Sequence, residues 1–497
     1  MDSSLTNDFH PLEPTDFSQE SKKVIDFIAN YYTNVEKYPV LSQVKPGYLK
    51  TLLPDSAPVS SESLEDILND ITTSIMPGIT HWQSPNFFAY FPATTSTAGF
   101  LGEMLCSGFN LGETNTSPAA AELETLVMDW MAQMLELPRS FLSSGNGSGV
   151  LQLSTSEAMV CTLATAREKV LREIGYEGIS RLVVYASDQT HSSLQKCVEL
   201  VGIPPSNFRC LPTTYSGGFS LTPRTLEDAI EKDIESGLVP FYVCATVGTT
   251  GCGAVDPVEE LGKVARKYNL WFHIDAAYGG SACICPEFRH YLDGVEHANS
   301  FSMSPHKWFL TYVDCCCLWV QNPDNSLMEG LPTISPEYLM NDDDDSESKD
   351  MEDYKDWQIA SNKRFLAIKL WVVIRRHGLA TLRFHIRSDV KLASYFESLV
   401  AKDNRFEVVV PRKFALVCFR LKSSHSKEDK NQNQELNKKL LLEVNKSGHA
   451  FMIHAVVDGV YFIRCAIGST LTQECHVVSL WKLIQEKATL VLLNSSN

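Results

Sequence analysis

Lys307, Asp275 and the glycine-rich segment 145–149 are the residues whose types and spacing suggest covalent chemistry. Lys307 carries an amine that can form a Schiff base with an aldehyde. Asp275 follows an apolar run, and a buried carboxylate there can keep a ring nitrogen protonated. The glycines at 145–149 precede a helix-like segment that starts near Ser154-Thr-Ser156, which offers backbone and hydroxyl donors to a phosphate. Together these groups predict a site for a phosphorylated aldehyde with a ring nitrogen.

His191 adds a fourth feature, because it follows another strand-like run and can stack on a flat ring. Taken alone, each feature has a commoner structural explanation: a loop, a helix cap, a satisfied histidine or a surface lysine. Their order along the chain and their positions after strand-like runs favour a shared site. Pyridoxal phosphate (PLP) needs an amine for its aldehyde, an acid for its pyridine nitrogen and donors for its phosphate. The sequence therefore predicts PLP as the cofactor.

Composition excludes several classes of partner. The 497 residues are 44% hydrophobic and 21% charged, as in an ordinary globular protein, and the net charge is −17. Such a charge disfavours nucleic acid and anionic membranes as partners. We find neither a secretory signal nor a run of eighteen apolar residues, so we expect a cytoplasmic protein with reduced cysteines.

The fourteen cysteines do not form a convincing metal site. Cys315, Cys316 and Cys317 lie in a strand-like run, where consecutive side chains point to opposite faces and cannot all reach one ion. Cys283 and Cys285 form a single Cys-x-Cys pair without a second pair at zinc spacing. We therefore expect no bound metal.

The chain divides into three segments at about residues 90 and 385. Residues 1–90 contain two predicted helices, Ser18–Tyr32 and Leu64–Ile75, and too few apolar residues for a core of their own. We expect this segment to pack on a partner subunit. Residues 386–497 are predicted to form a small α/β domain with strands Phe406–Val410, Phe414–Phe419 and Val460–Arg464. Two polar stretches, 341–353 and 423–434, are predicted to be loops.

Residues 91–385 alternate apolar runs with helical segments, which is typical of a largely parallel sheet covered by helices. The predicted helix Val258–Tyr268 has Asp256 as its cap and Glu259 in a capping box. Ligands of such sheets bind at the carboxyl ends of the strands, where we expect His191, Thr249-Thr250 and Asp275 to share one edge. The predicted strands are Leu182–Ala186, Phe241–Thr246, Leu270–Ile274 and Leu318–Val320.

From about Asp16 to Lys487 the sequence resembles the group II PLP-dependent decarboxylases. Within them it is similar to the plant aromatic L-amino acid decarboxylases and aromatic acetaldehyde synthases. The resemblance implies a PLP-dependent transferase of fold type I, with a mixed, mostly parallel seven-stranded sheet, a helical N-terminal segment and a small C-terminal α/β domain. It also implies a homodimer with active sites at the subunit interface. The stretches that carry it are 40–49, 81–92, 188–191, 285–294 and 353–359.

The resemblance assigns a role to each matching position. Lys307 would bind the PLP aldehyde, Asp275 would pair with the pyridinium, and His191 would stack on the ring. Residues expected to hold the phosphate are Thr155, Ser156 and Ser304, and those expected around the ring are Thr250, Ala277 and His306. Residues expected to bind the substrate are Trp82, Phe91, Pro92, His191, His306, Tyr338 and Asn362.

Tyr338 distinguishes two reactions by the logic of this family. After CO₂ leaves, a phenol on a closing loop can protonate Cα, and an amine is released. In the acetaldehyde synthases this position is typically Phe, and oxygen then intercepts the carbanion to give an aldehyde, ammonia and peroxide. Because Tyr stands here, the sequence favours a decarboxylase, with the acetaldehyde synthase as the alternative.

Two departures from the family pattern leave the substrate open. Residues 109–116 are two residues shorter than in relatives and include Glu113 and Asn115 where an aromatic wall is usual. Asn362 stands where relatives carry Gly or Ser; its amide would suit a phenol hydroxyl, and its bulk would crowd an indole. Tryptophan, tyrosine, phenylalanine and dopa all remain candidates. The altered segment is also the one argument for a third hypothesis, a catalytically weak relative that binds PLP or serves mainly as a dimeric partner.

Overall fold

The computed structural model describes residues 11–112, 117–321, 359, 364–422 and 430–495, without the side chains of 430, 431 and 495. Tyr338 and Asn362 lie outside the described residues, as do Glu113, Asn115, the predicted loop 341–353 and most of 423–434.

The N-terminal segment is helical, as predicted. Helix α1 (Pro14–Asn34) has no buried residue, although Phe17 and Ile25 on it are apolar and exposed. Helix α2 (Leu64–Asp70) begins at Ser63, whose hydroxyl accepts the N–H of Asp66, and it continues as a π-helical turn over Ile71–Ile75. Two helices with so little burial are stabilised mainly by what they pack against.

A seven-stranded sheet forms the centre of the molecule, in the order β1-β7-β6-β5-β4-β2-β3. All neighbours pair in parallel except β7, which is antiparallel to both β1 and β6. The mixed, mostly parallel sheet confirms the predicted fold class. The strands are β1 (Gly147–Gln152), β2 (Leu182–Ser187), β3 (Phe208–Leu211), β4 (Val239–Thr246), β5 (Trp271–Asp275), β6 (Ser300–Met303) and β7 (Cys316–Gln321).

Helices cover this sheet because its strands are buried and apolar on both faces. The predicted helix over 258–268 is present as α8, one residue shorter. The helices of this part are α3 (Thr97–Phe109), α4 (Pro118–Met134), α5 (Thr155–Ile174), α6 (Ser193–Leu200), α7 (Pro223–Glu235), α8 (Val258–Lys267), α9 (Pro286–Arg289) and α10 (Pro305–Trp308). Among the described helices, none has the length and apolar character that a membrane span requires.

Two local predictions were wrong. The glycine-rich segment is not a phosphate loop, because Gly147 and Gly149 lie within β1. A Cβ on Gly147 would lie 2.0 Å from the carbonyl oxygen of Ser140, so glycine is required there for close packing. Asp256 does not cap α8, whose N-cap is Pro257. The buried carboxylate of Asp256 instead accepts hydrogen bonds from the N–H groups of Leu221 and Thr246, each at 2.8 Å.

The C-terminal part begins with the long helix α11 (Leu366–Lys402), which contacts α3 and α4. The helix is interrupted at Gly378, whose φ of 69° is strained for other residues. α11 also contacts a four-stranded antiparallel sheet of order β10-β11-β9-β8. The remaining elements are β8 (Phe406–Val408), β9 (Leu416–Leu421), α12 (Lys430–Lys446), β10 (Ile453–Val457), β11 (Val460–Ala466) and α13 (Glu474–Ser495).

Candidate active site

A cavity of about 180 Å³ opens at the carboxyl ends of the central strands. Its lining comes from the ends of β4 and β5, from the segments that follow β1, β2, β4, β5 and β6, and from Phe91 in the segment before α3. The expected edge is therefore present, with His191, Thr250 and Asp275 all in the lining. The lining residues are Phe91, Ser154, Thr155, Ser156, Met159, His191, Ser193, Thr246, Gly248, Thr250, Asp275, Ala277, Tyr278, His306 and Lys307.

Lys307 lies on the short helix α10 between β6 and β7, and it is one of the residues that line the cavity. Burial lowers the pKa of its ammonium, and the nearby carboxylate of Asp275 offsets this only in part. Its Nζ lies 5.9 Å from the centre of the Phe91 ring. The neutral amine is the form of lysine that attacks an aldehyde, and a lowered pKa favours this form.

Asp275 is the last residue of β5 and is 4% exposed. One carboxylate oxygen accepts the N–H of Ala277 at 2.9 Å. His273, two residues earlier on the same face, is fully buried, and burial lowers its pKa to about 4. Its ring nitrogens lie 2.8 Å from the hydroxyl of Ser300 and 3.2 Å from that of Ser302. The acid is thus set beside a polar layer in which His273 is neutral near pH 7.

Two histidines border the cavity. The Nδ1 of His191 accepts the N–H of Ser193 at 3.2 Å and lies 2.7 Å from its hydroxyl, which orients the ring. Desolvation by the surrounding protein lowers the pKa of His191, and the positive charge of Lys307 lowers it further. Burial and Lys307 also lower the pKa of His306, to about 4. Its Nδ1 lies 2.7 Å from the carbonyl oxygen of Cys315. His306 is therefore neutral near pH 7.

Hydroxyl groups meet at the start of α5. Ser154 caps this 20-residue helix by accepting the N–H of Glu157. Thr155, in the first turn, has its Oγ1 2.7 Å from the Oγ of Ser304, which precedes α10. The Sγ of Cys316 lies 4.0 Å from the same Oγ1. A helix N-terminus with clustered hydroxyls suits a phosphate, so the phosphate site predicted at Thr155 and Ser156 has a plausible scaffold without the glycines.

Aromatic rings form one wall. Phe91 stacks on Tyr278 with ring centres 3.6 Å apart, and Tyr278 stacks on Trp308 at 5.1 Å. Pro92 is buried but is not among the lining residues. Trp82 is 38% exposed, stacks on Tyr90 and also lies outside the lining. Within a single chain, therefore, Phe91 lines the cavity and Trp82 does not.

Sequence analysis did not identify several residues at the cavity. Tyr278 follows Asp275 by three residues, and this proximity was the signal available for it. Arg464, which lies behind Phe91 and outside the lining, was also missed. It is 1% exposed, its guanidinium lies 5.3 Å from the centre of the Phe91 ring, and its Nη1 has no hydrogen-bond partner among the described residues. Nothing in the sequence around β11 distinguishes it from a surface arginine. The other missed lining residues are Met159, Ser193, Thr246 and Gly248.

The groups present fit PLP. An amine with a lowered pKa, a buried acid at a strand end and hydroxyls at a helix N-terminus are all within one cavity. With the mixed seven-stranded sheet, they define the class of protein: a PLP-dependent enzyme of fold type I.

Comparisons with known proteins agree. The model of the pyridoxal-dependent decarboxylase conserved domain matches residues 46–422. A tyrosine decarboxylase of Papaver somniferum is 56% identical over 97% of this chain and 96% of its own. A phenylacetaldehyde synthase of a Rosa hybrid cultivar is 55% identical over 97% and 95%. The crystal structure of Oryza sativa TDC with PLP and tryptamine has a TM-score of 0.94 at 48% identity, over 97% and 99%.

The chain belongs to the pyridoxal-dependent decarboxylase family, and its cofactor is PLP. The predicted family, enzyme class and cofactor are thereby confirmed.

Proposed function

We propose that the protein decarboxylates an aromatic L-amino acid to the arylalkylamine and CO₂. The observation that carries the proposal is the meeting of Lys307, Asp275 and Thr155 in one cavity with a wall of stacked aromatic rings. The Thr155 hydroxyl also contacts that of the buried Ser304. The relatives include a tyrosine decarboxylase and a structure that holds tryptamine, and both names fit such a wall. The preferred substrate is one of tryptophan, tyrosine, phenylalanine and dopa.

PLP, when bound, supplies an aldehyde and an electron-withdrawing ring that stabilises a carbanion at Cα. Lys307 offers its amine to that aldehyde, and burial favours the neutral form because it lowers the pKa of the ammonium group. Asp275 holds the proton on the ring nitrogen, and His191 presents its ring to the face of the cofactor. Groups proposed to bind the phosphate are the side chains of Thr155, Ser156 and Ser304, and groups proposed to enclose the ring are Thr250, Ala277 and His306.

Tyr338 is proposed to protonate Cα once CO₂ has left. It lies outside the described residues, as does Asn362, which is proposed to contact the substrate ring. The competing reaction is that of an aromatic acetaldehyde synthase, and a relative of that name is 55% identical to the chain. The phenol at position 338 supports amine formation, because it supplies a proton that a Phe at this position cannot.

We also propose a homodimer in the cytoplasm, with each site completed by the partner. Helix α1 has no buried residue in the single chain, and its exposed apolar side chains need a covering surface. Among the described residues, two that are expected at the substrate lie outside the cavity lining, Trp82 and Pro92, and they would then act near or across the interface. Co-expression of Trp82→Ala with Lys307→Ala tests this, because one intact site per mixed dimer restores activity only if Trp82 serves the partner's lysine.

The experiment that tests the main proposal incubates the PLP-loaded enzyme with each of the four amino acids separately. Amine, aldehyde and peroxide are measured together. Amine without peroxide supports the decarboxylase and identifies the substrate, whereas aldehyde with equimolar peroxide supports the synthase. No product from any of the four, with cofactor bound, would contradict both and leave the weak PLP-binding relative.

A further inference from the structure

Trp308, the residue after Lys307, is held by a buried acid from a distant part of the chain. Its side chain is 1% exposed, and its indole Nε1 donates to Oδ2 of Asp389 at 2.7 Å. The indole also stacks on Tyr278 with ring centres 5.1 Å apart and an angle of 12°. Tyr278 in turn stacks on Phe91 at the cavity. The indole therefore touches both the segment of the lysine and the aromatic wall.

Asp389 lies on α11 beyond the interruption at Gly378 and is 4% exposed. The other charged or titratable groups facing it are His385 and Tyr278. The Nε2 of His385 lies 3.6 Å away but is neutral near pH 7, because burial lowers the pKa of this histidine to about 4. Asp389 thus has no cationic partner among the described residues. A buried carboxylate of this kind costs stability relative to an apolar side chain, so packing alone does not explain it.

We propose that Asp389 is a positioning residue for the reaction, because it fixes the Trp308 indole and through it the lysine segment and the Tyr278–Phe91 wall. The inference rests on the proposed role of Lys307. The acceptor oxygen sets the rotation of the indole, since a buried N–H without an acceptor is costly and would drive the ring to another orientation. A displacement of the reacting groups by about 1 Å is enough to lower turnover strongly.

The test compares Asp389→Leu, Asp389→Asn, Trp308→Phe and the double variant Asp389→Leu/Trp308→Phe as PLP-loaded enzymes. Leucine removes the acceptor, asparagine keeps an oxygen, and phenylalanine removes the donor while keeping a smaller aromatic ring. We expect kcat per folded enzyme to fall about tenfold in Asp389→Leu and in Trp308→Phe, with KM changed by less than about twofold. Asp389→Asn should stay within about threefold of the original kcat. The double variant should be no worse than either single variant, because both remove the same bond.

Trp319→Phe is the matched control. Its indole Nε1 also donates in the core, to the carbonyl oxygen of Met128 at 3.2 Å, but Trp319 lies on β7 outside the cavity lining. This variant should lower the melting temperature and leave kcat per folded enzyme unchanged. An equal loss of kcat in Trp319→Phe and Trp308→Phe would mean that any lost core bond has this effect, which overturns the proposal.

The remaining outcomes separate the inference from the function on which it rests. Unchanged kcat in Asp389→Leu, additive losses in the double variant, or an Asp389→Asn as slow as Asp389→Leu would each overturn the positioning role. Where Asp389→Leu does not fold, Trp308→Phe and Asp389→Asn decide the question by the same criteria. Lys307→Arg keeps the charge but should lose the visible absorbance of bound PLP. If that absorbance persists, the proposed function fails first; if it is lost while Trp308→Phe stays fully active, only the positioning role fails.

Discussion

The rings of Phe91 and Tyr278 lie nearly parallel, 12° apart, with their centres separated by 3.6 Å. This contact joins the segment before α3 to the segment that carries Asp275. Both rings line the cavity, and the guanidinium of Arg464 lies near Phe91. The wall is therefore assembled from parts of the chain that are far apart in sequence.

Phe91→Leu should raise KM for the aromatic amino acid about fivefold and change kcat less. Leucine keeps the apolar character but loses the flat face, and such aromatic contacts contribute about 0.5–1.5 kcal/mol. Steady-state kinetics measures this. Phe396→Leu is the control, because Phe396 packs on Trp481 and Phe419 in the C-terminal core. A similar rise of KM in both variants would contradict a role for the Phe91 ring in binding.

Asp275→Asn should lower kcat at least about 100-fold with little loss of stability, because an amide does not hold a pyridinium as a carboxylate does. Asp256→Asn is a matched buried control. Both of its carboxylate oxygens accept backbone N–H groups, and an amide can accept only one, which should cost about 1–3 kcal/mol of stability. Steady-state kinetics measures the loss of kcat in Asp275→Asn, and thermal unfolding measures the loss of stability in Asp256→Asn. Retention of activity in Asp275→Asn would argue against the assigned role.

Thr155→Val should weaken PLP binding about tenfold, as expected for the loss of a hydrogen bond to a charged group. Spectroscopic titration of the apoenzyme with PLP gives the dissociation constant. Thr162→Val, on the same helix, removes a contact of 3.0 Å to the hydroxyl of Tyr242 away from the cavity. This control should lower stability and leave PLP affinity unchanged; an equal loss of affinity would place the phosphate elsewhere.

Tyr338→Phe should shift the product from amine to aldehyde with equimolar peroxide, since the proton donor for Cα is removed. Oxygen consumption measured beside amine release reports the shift. Tyr312→Phe serves as a control, because its hydroxyl lies 2.9 Å from that of Tyr32 rather than in the cavity lining. If amine output in Tyr338→Phe stays unaltered, another group donates the proton.

Asp389 gives a pH dependence of stability with a definite sign. Burial raises the pKa of this carboxyl from 3.8 to about 7, so the folded protein favours the neutral acid. The contribution of Asp389 to the free energy of unfolding is therefore greatest below pH 4. It decreases as the pH rises from about 4 to 7 and is constant above pH 7. The shift corresponds to about 4 kcal/mol. The stability of the original protein relative to Asp389→Asn, measured by urea unfolding, should fall over this range; a constant difference would show that the acid is not buried as described.

Strands that are buried on both faces were predictable, because β2, β4, β5 and β7 are continuous apolar runs. Strand β6 was missed, since its sequence Ser-Phe-Ser-Met alternates, and Ser300 and Ser302 face His273. Strand β1 was missed because its glycines, required by close packing, suggested a loop.

At the site, the positions of Asp275 and His191 were predictable, because both lie at or after the carboxyl end of a predicted strand. Contacts between segments that are distant in sequence were not predictable. No local pattern shows that Asp256 bonds to the backbone of Leu221, or that Asp389 reaches Trp308. Such pairings arise from tertiary packing, which a single sequence does not display.

Lys307 lies in the connection between β6 and β7, two neighbouring strands that each have a partner on both sides. Both ends of this connection are therefore anchored by ladder hydrogen bonds of the sheet. Local opening of the chain would have to break the sheet to move this lysine out of place, so we expect the amides of β6 and β7 beside it to exchange with deuterium only on global unfolding. The amine itself lines the cavity, so a small reagent that enters the cavity reaches it while the fold stays closed.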